Sequence, residues 1–244
     1  MLLERSHYIA LKKSYEKVGN EMNDQVDFFS NDLLSSRNFF TNKSLEQRKP
    51  VPIDVEVFAI LSGISFENNF LDFIYEIYQR INLILSDALY YLVKEENLGV
   101  EYAVLKWPGD NQDNKVIETA KNLIKDYPFH EFHLRIFGIQ VHKDGCIVLK
   151  AVDERKEIFK FRESIISNIK GIPKKQSSWA HIPIGRILEP IGKDKMDQLK
   201  KFLLDINSQL NYDLLIEEIH LVHEKKWYME EKDYLITKKF KEFN

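Results

Sequence analysis

From residue 55 onward, short apolar runs alternate with longer stretches in which apolar positions recur every three or four residues. Val55-Glu56-Val57-Phe58-Ala59-Ile60-Leu61 is a short apolar run ending in Ser62-Gly63, which predicts a buried strand and a turn. Phe70, Phe73, Ile74, Ile77, Ile81, Ile84, Leu85 and Ala88 share one helical face and predict a long helix over 66–95, stopped by Gly99. Val100 to Trp107 reads as a second strand, closed by Pro108-Gly109-Asp110, and Lys115 to Asp126 as a second helix. His133 to His142 alternates as a strand, Lys143-Asp144-Gly145 is a hairpin turn of the Asp-Gly type, and Cys146 to Val152 returns beside it. A helix over 153–169 ends at Gly171-Ile172-Pro173. A strand from Trp179 to Leu188 and a helix from Lys193 to Leu210 follow. Leu214 to His223 and Tyr234 to Phe240 are the last strands, joined by a charged segment, 224–232, that reads as a solvated loop.

The order β-α-β-α-β-β-α-β-α-β-β forms two comparable βαβ-like halves and excludes an all-β sandwich and a helical bundle. Hairpins among the strands argue against a purely parallel sheet. Residues 1–50 are different: polar, glycine-poor, with Leu2, Leu3, Tyr8, Ile9, Leu11 and Tyr15 only loosely spaced for a helical face. Lys49-Pro50-Val51-Pro52 marks a boundary, because proline disfavours helix at and before itself. The expected division is a helical or irregular appendage over 1–50, which packs on the domain or offers a surface to a protein partner, and a domain over 51–244.

Composition narrows the function classes. The 244 residues are 44% hydrophobic with 16 Phe and 11 Tyr, which argues against disorder, and a formal net charge of −3 supplies no global basic field to attract nucleic acid. Any nucleic-acid contact must come from a local cleft. Cys146 is the one cysteine, so no intramolecular disulfide can form, and its apolar run reads as core. The first residues do not read as a signal peptide and no apolar stretch approaches the ~20 residues that span a bilayer, so a cytoplasmic protein without membrane contact is expected. Neither a Gly-x-Gly-x-x-Gly nor a Gly-Lys-Ser/Thr phosphate loop occurs. His130 and His133 are three apart on a strand and point to opposite faces, as do His220 and His223, so no metal site and no cofactor is expected; His220 stays a candidate cleft residue.

Ala180-His181-Ile182-Pro183-Ile184-Gly185-Arg186-Ile187 sets a histidine and an arginine in an apolar strand. Alternation puts His181, Pro183 and Gly185 on one face and Arg186 on the other, unless a bulge at Gly185 re-aims the arginine. The segment resembles the second signature of the two-histidine (2H) phosphoesterases, His-x-Thr-x followed by Gly-Arg. Phe132 to Val141 with the strand through Val152 resembles that family's central hairpin; Ile216 to Val222 and Tyr234-Leu235 resemble its late strands. The resemblance covers about residues 53–240. The first signature, His-x-Thr-Leu, falls on Tyr102-Ala103-Val104-Leu105-Lys106-Trp107-Pro108-Gly109. Leu105, Trp107 and Gly109 fit, but Tyr102 stands where histidine belongs and Val104 where threonine belongs. In the second signature His181 is kept and Pro183 replaces threonine.

The resemblance implies an α+β fold of two lobes, with two antiparallel or mixed sheets facing a central cleft and helices outside. It implies two histidines facing each other across that cleft, one removing a proton and the other supplying one, without a metal. Histidine suits either role, its ordinary pKa being about 6.5. His181 is the expected proton donor or acceptor and Tyr102 its degraded counterpart, a poor base with an ordinary pKa of about 10. Arg186, whose guanidinium can fork onto phosphate, is the expected phosphate contact, with Lys106, Trp107 and His220 as further substrate-binding residues. Trp107 and Trp179 either stack on a base or pack in the core. The implied ligand is an RNA end bearing a 2′,3′-cyclic phosphate, a cyclic nucleotide or a 2′,5′ linkage. The implied activity is a metal-independent phosphodiesterase, impaired by the loss of one histidine, which costs roughly 10²–10⁴ in rate. The alternative is a non-catalytic interaction module whose cleft is vestigial.

Overall fold

The computed structural model describes residues 2–23, 31–64, 66–111 and 113–242, with the side chains of 2–5 and 20–23 left out. The strands fall into two sheets. In the first, β1 (Asp54–Gly63) lies between β3 (Gly99–Lys106) and β8 (Glu218–Lys226), and β9 (Glu231–Lys239) flanks β8. In the second, the order is β2 (Tyr90–Leu92), β6 (Ala180–Ile187), β5 (Cys146–Asp153), β4 (Phe132–Val141) and β7 (Tyr212–Ile216). Every pairing between these strands is antiparallel. The chain is therefore α+β and two-lobed, with a hairpin, β4–β5, at the heart of the second sheet.

The apolar periodicities explain how the layers close. On β1, Phe58 and Ile60 join the large core shared with α4 (Asn68–Ile84) and α5 (Asn114–Asp126), while Val57, Ala59 and Leu61 form a smaller cluster with Val104 and Val222 on the opposite face. The second sheet contributes Leu134, Leu149 and Ile182 to the large core, against α6 (Glu157–Asn168) and α7 (Lys193–Gln209). Asp153 caps α6: its carboxylate accepts from the N–H groups of Arg155 at 3.0 Å and Ile158 at 2.8 Å.

Two departures from the sequence expectation change the topology. The helix expected over 66–95 stops at Ile84, and Tyr90–Leu92 forms a strand on β6. Tyr90-Tyr91-Leu92-Val93 is rich in residues that favour strands, and β6 supplies their hydrogen bonds. The strand expected over Leu214–His223 is broken at Glu217, where the chain passes from the second sheet to the first. Periodicity cannot show such a crossing, because the run is apolar on both sides of it.

The N-terminal helix α1 (Leu2–Asn23) packs on β4 and β5, and the short helices α2 (Asn31–Ser35) and α3 (Asn42–Glu46) follow it. Leu11 and Tyr15 meet Val152, Phe137 and Trp179 in a cluster of their own. Tyr15 Oη donates to the carbonyl oxygens of Ala180 at 2.9 Å and Ala151 at 3.3 Å, and Trp179 Nε1 donates to Ser14 Oγ at 2.8 Å. Among the described residues no helix is long and apolar enough to cross a membrane.

Candidate active-site cleft

β3 is an edge strand, and its outward backbone groups need partners. Side chains from the second half of the chain provide them. Arg162 on α6 donates through Nε to the Tyr102 carbonyl at 2.6 Å, and through Nη2 to the carbonyls of Glu101 and Trp179, both at 3.0 Å. The amide of Gln176 brackets Val104, accepting from its N–H and donating to its carbonyl, each at 2.9 Å. These bonds hold β3 beside β6, and a cleft of about 550 Å³ opens along them.

A bulge decides what β3 presents to that cleft. Leu61 lies opposite Glu101 and Ile60 opposite Ala103, so Tyr102 is the extra residue. Glu101 lines the cleft, and Tyr102 does not. The Tyr102 side chain is 0% exposed, packs edge-on to Phe161 with ring centroids 5.9 Å apart, and accepts from Ser62 Oγ at 3.0 Å. Burial holds its hydroxyl protonated, the Ser62 bond and the Arg162 charge opposing, so the expected counterpart of His181 is sealed in the core. A second shift along the same pairing sets Lys106 opposite Phe58, where it pairs with Glu56 and lies over the Phe58 ring, 6.0 Å from its centroid, outside the cleft. His220 is also outside: its Nδ1 is 2.9 Å from Thr237 Oγ1 and its Nε2 3.3 Å from a Glu218 oxygen.

A matching irregularity on β6 acts in the opposite sense. Pro183 lies opposite Val148 and Gly185 opposite Ile147, leaving Ile184 as the extra residue. His181, Pro183 and Arg186 therefore all line the cleft; the irregularity that re-aims the arginine falls at Ile184, one residue before the Gly185 that the sequence reading named. Arg186 is engaged there through Nε and Nη1. Its Nε donates to Tyr228 Oη at 2.7 Å, and its Nη1 donates to Ser36 Oγ at 2.6 Å and Asp144 Oδ2 at 2.9 Å. Its guanidinium also lies over Phe39, 5.0 Å from the ring centroid. The arginine thus ties the turn Ser36–Phe39 to the hairpin and to the cleft wall.

The remaining walls are aromatic or acidic. Trp107, an expected binding residue, stands 6.3 Å from Trp227 between ring centroids, and Phe39 lies 5.2 Å from Trp227. Trp179 meets both His181 and His142 edge-on, at 5.8 and 5.2 Å. The half-buried His181 has an Nδ1 that no group bonds among the described residues. Burial, aided by the charges of His142 and Arg162, lowers its pKa to about 4, so the ring is a neutral base at neutral pH.

The carboxyls move the other way. Burial raises Glu101 to about 7, opposed by the Arg162 charge. Glu224 on β8 is 4% exposed and accepts from the Met229 N–H at 3.0 Å; burial raises it to about 7, the Met229 bond opposing and the Glu101 charge adding. The turn that it braces holds Tyr228 and Met229 at φ 61° and 57°, the left-handed region that side chains rarely adopt. Residues 224–232, expected as a solvated loop, instead begin as strand and fold over the cleft as part of its wall. Glu101, Arg162, Gln176, Glu224 and the exposed rim residue Lys175 were not singled out from sequence. The one visible signal was an acid, Glu101, inside a strand whose other charged residue, Lys106, is at its end.

No family model matches the sequence, and no curated protein matches it. Solved structures do match. LigT of E. coli, solved with 3′-AMP, aligns with a TM-score of 0.50 over 77% of this chain and 99% of that one, at 12% identity. TT0787 of Thermus thermophilus gives 0.52 over 75% and 97%, at 12% identity. The chain shares the fold of these two proteins, as the resemblance to the 2H phosphoesterases implies. A conserved protein of unknown function from Agrobacterium tumefaciens, ATU0111, also matches, at 0.57 over 76% and 86% with 11% identity. At such identity the likeness shows the architecture alone. It accounts for the two sheets and leaves roughly a quarter of this chain outside the alignment. Within the 2H fold, β3 and β6 are the strands that the two signatures occupy by the resemblance above, and here they border one cleft.

Proposed function

We propose that this cleft binds a nucleotide phosphodiester, such as a 2′,3′-cyclic phosphate end of RNA or a 2′,5′ linkage, and that His181 moves the proton in its cleavage. The observation that carries the proposal is the His181 imidazole, neutral and half-buried, lining a cleft between the two sheets, with its buried Nδ1 engaged by no described residue. Three features support it. The fold is shared with a protein solved with 3′-AMP. The cleft volume, about 550 Å³, is that of a small-ligand site. Trp107 and Trp227 offer aromatic surface for a base, and Lys175 a cation at the rim for a phosphate, a part that Arg186 fills less well while it holds Asp144.

Val104 and Pro183 favour a second reading. Neither carries a hydroxyl to bond phosphate oxygens, and Val104 is packed in an apolar cluster. In that reading the cleft holds a nucleotide without turning it over, and residues 1–50 supply a partner surface. The test offers purified protein 2′,3′-cyclic nucleotides and 2′,5′-linked dinucleotides, with 3′-AMP binding followed by calorimetry. Turnover that survives a chelator and falls roughly 10²–10⁴-fold in His181→Ala is the expected result. Binding without turnover selects the second reading, and absence of both removes nucleotide recognition.

A further inference from the structure

We propose that Glu101 is the second catalytic residue of this cleft, the acid that works with His181 in the role the resemblance assigns to a missing histidine. The inference rests on the phosphodiester reading above. It starts from the bulge at Tyr102, which reverses the parity of β3 and brings Glu101 to the cleft in place of its neighbour. Without that extra residue, the motif position itself would face the substrate and the glutamate would face the core.

Arg162 makes the arrangement specific. One guanidinium grips the Glu101 carbonyl and the Trp179 carbonyl, and Trp179 is two residues before His181. The two proton-transfer strands are thus held by a single buried group, which restricts how far they can slide apart. The Glu101 carboxyl is not tied down by this grip, since no described residue bonds it. A carboxyl that serves only the fold would be expected to spend its oxygens on donors, as Glu224 does on Met229.

Burial sorts the two groups into complementary states. It keeps the His181 ring unprotonated and ready to accept, and keeps the Glu101 carboxyl protonated into the neutral range and ready to donate. The groups acting on Glu101 from the surrounding elements are Arg162 on α6, which favours ionisation, and Glu224 on β8, which opposes it; His142 on the hairpin and Arg162 act on His181. In hydrolysis of a 2′,3′-cyclic phosphate, the water oxygen bonds to phosphorus and one ribose oxygen–phosphorus bond breaks. The water proton passes to His181, and the Glu101 proton passes to the departing ribose oxygen. Release of the His181 proton to solvent and uptake of one by Glu101 restores the pair.

The experiment compares the full-length wild type with Glu101→Gln, Glu101→Asp, Tyr102→Phe and His181→Ala. The substrates are a 2′,3′-cyclic nucleotide and a nucleoside p-nitrophenyl phosphodiester, whose leaving group departs without a proton. Glu101→Gln is expected to lower kcat on the cyclic substrate roughly 10²–10⁴-fold, with 3′-AMP affinity kept. It should also lose the fall in kcat/KM above about pH 7, and recover most of its rate on the p-nitrophenyl substrate. Glu101→Asp should show the same pattern, less severely, which keeps the test open should Glu101→Gln fold poorly. Tyr102→Phe should stay near wild type, and His181→Ala should fail on both substrates. Activity of Glu101→Gln within twofold of wild type, with an unchanged pH profile while His181→Ala is dead, overturns the inference and leaves the phosphodiester reading standing. A wild type that binds 3′-AMP without turnover also overturns it; a wild type that neither binds nor turns over takes the reading down as well.

Discussion

Burial does opposite things to an imidazole and a carboxyl, and both sit in this cleft. Glu101 is raised from 4.5 to about 7, so between those pH values the folded chain keeps a proton that the unfolded chain has lost. Its contribution therefore turns against folding as pH rises through that window, and is absent below it. His181, lowered from 6.5 to about 4, has the reverse sign: the unfolded chain takes up a proton that the folded chain refuses, so stability is lost as pH falls through that range. Glu101→Gln should consequently gain melting temperature on the wild type as pH climbs from 4.5 to 7. Thermal denaturation at several pH values checks this, and a difference that does not vary with pH contradicts the buried, protonated carboxyl. At this scale the resemblance singled out His181, Trp107 and Arg186, and all three line the cleft, Arg186 only because β6 is irregular at Ile184. Tyr102, Lys106 and His220 were not placed correctly, because residue type says what a side chain can do and not which face it takes.

At the scale of elements, the bulges carry the function. Counting by twos along β3 gives the wrong face after Tyr102, and counting by twos along β6 gives the wrong face after Ile184. Only the second irregularity left a mark in the sequence, because a side chain at Gly185 would stand 2.7 Å from the Tyr91 carbonyl oxygen on β2 and 2.9 Å from Leu92. Gly185→Ala should force β2 and β6 apart, costing about 1–3 kcal/mol by the usual penalty for overpacking. Urea denaturation measures that cost, and unchanged stability would show that the strands adjust freely. β1, β3, β4, β5, β6, α5 and α7 were recovered within a residue or two, whereas the helix expected over 66–95 overran α4 and the one expected over 153–169 began ahead of α6. The short β2 and the break at Glu217 were not, since each is decided by pairing with a distant strand.

For the whole molecule, α1 and the turn Ser36–Phe39 extend the two-sheet body on the side of the cleft. Tyr15 is the anchor of α1, 0% exposed and bonded to carbonyls of β5 and β6. Tyr15→Ala should cost about 3–5 kcal/mol, as for other large aromatic truncations. Tyr15→Phe, which loses only the hydroxyl bonds, should cost about 0.5–1.5 kcal/mol. Both are read from denaturation midpoints, and a negligible effect of the alanine variant would mean that α1 does not rest on the sheet. The sequence by itself determined the alternation of elements, the hairpin between β4 and β5 and the presence of a histidine strand, because periodicity and turn residues act locally. Tertiary structure alone decided that β3 and β6 share a cleft, that Arg162 and Gln176 staple them, and that an acid and not a tyrosine lines it. Those outcomes depend on register shifts and on hydrogen bonds between residues some sixty to seventy positions apart, which no local pattern encodes.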